Sequence, residues 1–132
     1  MNNKQVTPEF IRDLEDYEIF VFGSNLAGMH GGGAARMAHE VFGAEWGVGV
    51  GATGQCYAIP TMQGGVETIQ PYVDEFIAYA KQHRKNRFLV TRIGCGIAGF
   101  TDEEIAPLFR EATKESNIAL PKEWWRILRG AK

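Results

Sequence analysis

The stretch EIFVFGSNLAGMHGGGAARMA, residues 18–38, decides the fold. Its first six residues are β-branched and aromatic and end at Gly23, which reads as a short buried strand. Beyond the glycines, Ala34, Ala35, Ala38, Val41 and Phe42 recur at helical spacing, and Gly43 stands where a helix would stop. Between strand and helix lie Asn25 and three consecutive glycines, Gly31, Gly32 and Gly33. Bare backbone costs conformational entropy wherever it sits, so this density asks for a reason. The close flanking elements rule out a linker. A tight turn needing positive φ is one explanation. The other is an anion cradle, in which the N–H groups and dipole of a helix start face a phosphate unhindered by side chains. A plain turn rarely needs three glycines together.

The strand–helix alternation continues outward. CYAIPT, residues 56–61, reads as a second strand ending at Pro60, and Ile69, Val73, Phe76, Ile77 and Ala80 form one stripe of a following helix. RFLVTRIG, residues 87–94, is a third apolar strand and runs straight into CGIAGF. Thr101 and Glu104 make a capping box for a helix carrying Ile105, Leu108, Phe109 and Ala112, with Pro107 delaying its regular part to about Ala106. At the N-terminus, Thr7-Pro8-Glu9 has the features of a helix start, with Phe10, Ile11 and Leu14 as its apolar side. The tail IALPKEWWRILRG predicts a short strand or turn and then a helix packing Trp124, Trp125 and Leu128. The class is α/β: a three-layer α/β/α sandwich with a mostly parallel central sheet. Ligands bind at the carboxyl ends of such strands, so the exits after Phe22 and Ile93 are expected to share one pocket.

With 132 residues and a formal charge of −2, the chain is expected to form one domain, residues 1–132, with no basic footprint for nucleic acid. KQHRKNR, residues 81–87, reads as a solvated helix end. No apolar segment has membrane-span length, the polar start MNNKQVTPEF does not read as a signal peptide, and Cys56 and Cys95 form no CxxC. These features predict a cytoplasmic protein without membrane association, and without metal-ligand spacing among Cys and His.

Two motifs fail on context. GVGATG, residues 49–54, matches GxGxxG but precedes a strand, and Gln55 occupies the lysine position of a phosphate-binding P-loop. The segment reads as a flexible or ligand-capping loop. In RIGCGIAGF, residues 92–100, Phe100 suits either stacking on a base or ribose or covering the core. Cys95 between glycines raises a nucleophile reading against that of a small buried residue, with no His partner arguable. His30 reads as a solvated loop histidine, with contact to a phosphate as the alternative, and His39 as structural. Asp102, Glu103 and Glu104 offer carboxylates for acid–base work or, more simply, for a helix start, while Asp16 and Glu18 read as surface.

Taken in order, VFGSN, GGGAA, YAIPT and TRIGCGIAGF resemble the motifs of macrodomains, the fold that binds ADP-ribose, across residues 18–115. The last two look most like the branch containing terminal ADP-ribose glycohydrolases and DNA-ADP-ribosyl hydrolases, and the chain is also similar to phage-related macrodomain-like proteins. The resemblance implies that the first loop meets the distal ribose and the second cradles the diphosphate. The implied binding residues are Gly23, Ser24, Asn25, Gly31, Gly32, Gly33, Thr61, Arg92, Gly94, Cys95, Gly96, Ile97, Ala98, Gly99 and Phe100. That hydrolase branch places a reactive lysine after the IPT strand end and an aspartate after GCG and one aliphatic residue; here those positions are Met62 and Ala98. A thioether forms no Schiff base and a methyl carries no proton.

The expected function is therefore binding of ADP-ribose, or a related nucleotide-ribose ligand or modified macromolecule, without lysine-type catalysis and without a further cofactor. Two alternatives stand beside it. One is an ADP-ribosyl hydrolase in which Asn25 positions a water, helped by Asp102 or Glu103. The other is a phage-related interaction protein with a vestigial pocket, suggested by the Trp124-Trp125 pair.

Overall fold

Strand β1 (Glu18–Ser24) alternates its side chains between two faces that are both covered, which is why its sequence is apolar throughout its middle. Phe20 and Phe22 point to one side and Val21 to the other. The computed structural model describes residues 5–130. After β1 come α1 (Gly33–Val41), β2 (Gly51–Thr53), β3 (Cys56–Pro60), α2 (Val66–Gln82) and β4 (Arg87–Val90). A short α3 (Asp102–Ile105), a 3₁₀ segment (Ala106–Lys114), β5 (Ile118–Ala119) and α4 (Lys122–Gly130) complete the chain.

The five strands form one sheet in the order β2-β3-β1-β4-β5, parallel except for the antiparallel β2–β3 edge. Helix α1 covers the Phe20–Phe22 face together with Phe42, Cys56 and Ala58. Helices α2 and α4 and the 3₁₀ segment cover the other, where Val21, Tyr57, Ile59, Phe88 and Val90 meet Phe76, Phe109 and Trp124. This is the expected three-layer α/β/α sandwich. The stripe of α2 is buried as its spacing predicts, as are Trp124, Trp125 and Leu128 of α4. The tryptophan pair is thus core, and Trp125 Nε1 donates to the Gln5 carbonyl at 2.7 Å.

Several expectations fail for identifiable reasons. Residues 7–14 form no helix. The expected cap is taken by the sheet: Val6 bridges Leu120, Thr7 N donates to Leu120 O at 2.9 Å, and Thr7 Oγ1 donates to Val90 O at 2.8 Å. Ile11 and Leu14 pack against the α1 face from irregular backbone, and Phe10 is 80% exposed.

The capping box is present as predicted, with Thr101 Oγ1 accepting from Glu104 N and Thr101 N donating to the Glu104 carboxylate. Pro107 acts in reverse of expectation, however. The α-turn precedes it and a 3₁₀ run follows, because proline offers no N–H to continue the ladder. Part of the 49–54 segment is not loop but the edge strand β2. Glu18 is buried rather than surface, paired to Arg87 at 2.6 Å. At the basic cluster, Lys81 and Arg84 turn toward the buried Glu115 at 3.9 and 2.7 Å. Among the described residues no helix is long and apolar enough to cross a membrane.

Phe76, fully buried against Tyr57, Phe88 and Phe109, anchors the α2 layer. Phe76→Ala is expected to cost about 3–5 kcal/mol in urea unfolding. Phe10→Ser, by contrast, should change stability by less than about 0.5 kcal/mol. Equal losses at both positions would contradict the core assignment.

Candidate functional site

Because β3, β1 and β4 are parallel neighbours, their carboxyl ends open on one edge. The register sets Gly23 beside Ile59 and Ser24 beside Pro60, so the chain leaves β1 and β3 at one level. The β4 exit bends across β1: Thr91 N and Thr91 Oγ1 both donate to Val21 O, at 3.1 and 2.8 Å. A side chain at Gly23 would press on Gly94 N and Ile93 at 3.3 Å, so the first exit stays bare where the second crosses it.

The resulting cleft, of about 210 Å³, is where the two glycine-rich exits meet. Of the residues expected at a ligand, Gly23, Ser24, Asn25, Gly32, Gly33, Thr61, Arg92, Gly94, Gly96, Ile97 and Ala98 line it. The four others, Gly31, Cys95, Gly99 and Phe100, lie outside its lining. Phe100 instead packs against the core around α2 and turns back through Phe100 N to Gly94 O at 2.8 Å. The sequence reading missed Met29, Ala34, Ala35, Thr91 and Ile93 as lining residues; all but Ala35 are chain neighbours of a glycine or of a residue expected at the ligand. Met62 and Ala98 also face the cleft.

Helix α1 opens into this space with Gly32 at its N-cap, no capping side chain and no acid in its first turn. Its N–H groups are therefore left for a ligand or solvent. Across the cleft, a Cβ on Gly32 would stand 3.4 Å from Ile97 Cδ1, and Ile97 is 77% exposed. The two loops approach closely at that point. Among the described lining residues, Arg92 is the one ionised side chain.

Asn25 is not poised over the cleft with a free amide. Its Nδ2 donates to Met29 O at 3.1 Å and its Oδ1 accepts from Met29 N at 2.9 Å, closing the 25–29 loop. That loop lies on the 45–49 segment with backbone against backbone. A Cβ on Gly49 would collide with the Asn25 carbonyl, and one on Gly28 with the Gly47 carbonyl carbon. Ser24 Oγ donates to Gly49 O at 2.6 Å. Gly49 and Gly54 thus serve close packing, whereas Gly51 supplies a positive φ of 88° at the start of β2. His30 is not solvated but 1% exposed, with its Nε2 3.0 Å from Glu45 O and its ring beside Phe22 and Trp46. His39 has a structural contact as expected, Nδ1 to Ala44 O at 2.7 Å.

Arg92 is held by its own loop. Its Nε and Nη2 donate to the two oxygens of Asp102 at 3.0 and 2.7 Å. Asp102 Oδ1 also accepts from Trp124 Nε1 at 2.8 Å and from Cys95 Sγ at 3.4 Å. The Arg92 hydrogen bonds, more than any other cause, hold the Asp102 carboxyl below its ordinary value. Burial, then the hydrogen bond to Asp102, pushes the Cys95 thiol up to about 12, which suits a small packed residue rather than a nucleophile. Glu103 and Glu104 are exposed, and Glu104 is spent on the cap. No group of three or more His, Cys, Asp or Glu among the described residues is placed to hold a metal ion. Comparisons with protein-family models, curated proteins and solved structures find no match to this chain.

Two measurements check these electrostatics. Burial also raises Cys56 to about 12, so at pH 8 both thiols should react with an aromatic disulfide reagent at least about a hundredfold more slowly than free cysteine. Fast labelling of Cys95 in the folded protein would restore the nucleophile reading. The Asp102 shift is downward, so its stabilisation is complete above the ordinary value of 3.8 and is lost as pH falls through the lower folded value. Asp102→Asn should accordingly flatten the acid limb of the stability–pH curve.

Proposed function

We propose that this protein binds ADP-ribose or a closely related nucleotide-ribose ligand in the cleft between its two glycine-rich loops, without lysine-type chemistry. The observation that carries the reading is convergence. The Gly32–Gly33 helix start and the Gly94–Ala98 loop, distant in sequence, face each other across one cleft at the carboxyl edge of a parallel sheet. Its walls are largely backbone and small side chains, which suits a phosphate and a ribose approaching N–H groups directly. A cavity of about 210 Å³ accommodates the ribose-phosphate part of such a ligand, with the remainder extending beyond it.

The motifs on which a macrodomain-like reading rests are the ones that form this cleft. Met62 and Ala98, at the positions of the reactive lysine and aspartate in the hydrolases that those motifs resemble, both line it. Neither side chain can attack a ribose carbon or carry a proton there. Both polar atoms of the Asn25 amide are tied to the loop backbone, which fixes its orientation and leaves one N–H and one lone pair for a ligand hydroxyl.

Isothermal titration with ADP-ribose, with AMP and adenosine as controls, tests the proposal. Saturable one-to-one binding, with ADP-ribose preferred, is expected, and the absence of heat and of thermal shift at millimolar ligand would end it. Gly32→Glu should abolish binding, because its carboxylate enters the phosphate space at the helix start. A folded Gly32→Glu protein with wild-type affinity would refute the placement.

A further inference from the structure

We propose that Arg92 is the side chain that reads the ligand's phosphate charge, and that Asp102 is its positioning residue. This rests on the nucleotide-ribose reading above and adds what selects for it.

Arg92 stands at a boundary. It lines the small cleft and also a second cavity of about 890 Å³, bounded by residues 6–12, Phe20, Met37 and Pro121 to Glu123. Gly33, Ala34 and Thr91 belong to both walls as well. The open start of α1 and Arg92 therefore border both spaces. An anion there meets backbone N–H groups from one side and a cation from the other. A group joined to that phosphate has room to continue into the larger cavity.

The side chain is ready for this without collapsing onto its partner. Its fork to Asp102 uses one N–H of Nε and one of Nη2, leaving the Nη1 group and the second Nη2 hydrogen to donate. The Arg92 side chain is 53% exposed, whereas Asp102 is largely covered at 15%. Asp102 in turn is tied to Trp124, which is wholly buried. The guanidinium plane is thus set by a chain of contacts running from the core to the cleft. Lysine in its place would keep the charge and lose the fork. The other charges bordering the larger cavity are Glu9, Arg12, Lys122 and Glu123, which differ in sign and leave Arg92 as the charge shared by both spaces.

The experiment is a titration of ADP-ribose into wild-type, Arg92→Met, Arg92→Lys and Asp102→Asn proteins, at low and high salt, with thermal melts as a folding control. Wild-type affinity should fall as salt rises. Arg92→Met should bind at least tenfold more weakly at low salt and show a flattened salt dependence, while Arg92→Lys should lose several-fold and keep the dependence. Asp102→Asn should also lose several-fold with the salt dependence intact, because the charge remains and its orientation does not. Tighter binding by Asp102→Asn would show that Asp102 only neutralises Arg92, and would overturn the positioning role. Folded Arg92→Met with wild-type affinity would overturn the inference while leaving nucleotide binding standing. Should Arg92→Met not fold, a salt-independent wild-type affinity, or undiminished affinity in Arg92→Lys, overturns it equally. No wild-type binding of ADP-ribose removes both proposals.

Discussion

The parallel hydrogen bonding of β1 on both its edges is the constraint from which the rest follows. Pairing with β3 on one side and β4 on the other leaves neither edge of the strand free, and its two faces are covered by the helical layers. Parallel pairing also requires each connection to return to the opposite end of the sheet, which places α1 and α2 as covering layers. The loops after β1, β3 and β4 are then forced to share one edge. Their glycines come together because of strand direction, before any ligand is considered. Slipping the β1–β3 register by one residue would turn Phe20 and Phe22 away from the α1 layer and dismantle the cleft with the core.

Much of this was legible in the residues. The strands at Glu18, Cys56 and Arg87, the α2 stripe and the helix after the triple glycine follow from hydrophobic period alone, and the two exits do meet. What failed was local chemistry overruled by distant partners. Thr7-Pro8-Glu9 satisfies every rule for a helix start, yet the Leu120 and Val90 carbonyls, more than eighty residues away, take the Thr7 donors. Glu18 reads as surface because nothing near it in sequence supplies Arg87. His30 sits in a polar, glycine-rich loop, and only the folding of the 45–49 segment over it makes it interior.

The candidate site shows the same division. Glycine density marked both walls, since the requirement for bare backbone is written residue by residue. It could not separate glycines that face the cleft from those that make room for other chain. Gly32 and Gly96 line the cleft, whereas Gly28 and Gly49 allow the 25–29 and 45–49 loops to touch. Asn25 carries the same ambiguity. An asparagine after a strand suits a ribose hydroxyl, and it equally suits a loop closed through both polar atoms of its amide, which is the arrangement present.

That commitment of Asn25 bears on what kind of chemistry the cleft can support. A catalyst needs groups whose donors, acceptors or charge become available to a changing substrate. Here the amide of Asn25 is closed on Met29, the thiol of Cys95 is held protonated against Asp102, and Asp102 is engaged by Arg92 and Trp124. Met62 and Ala98 add only apolar surface. The donors left at the space include the backbone N–H groups at the α1 start, the unused N–H groups of Arg92 and the second N–H of the Asn25 amide. None of these donors has a proton to shuttle at neutral pH. A surface of fixed donors is what the proposed holding of an anionic ligand in one pose requires.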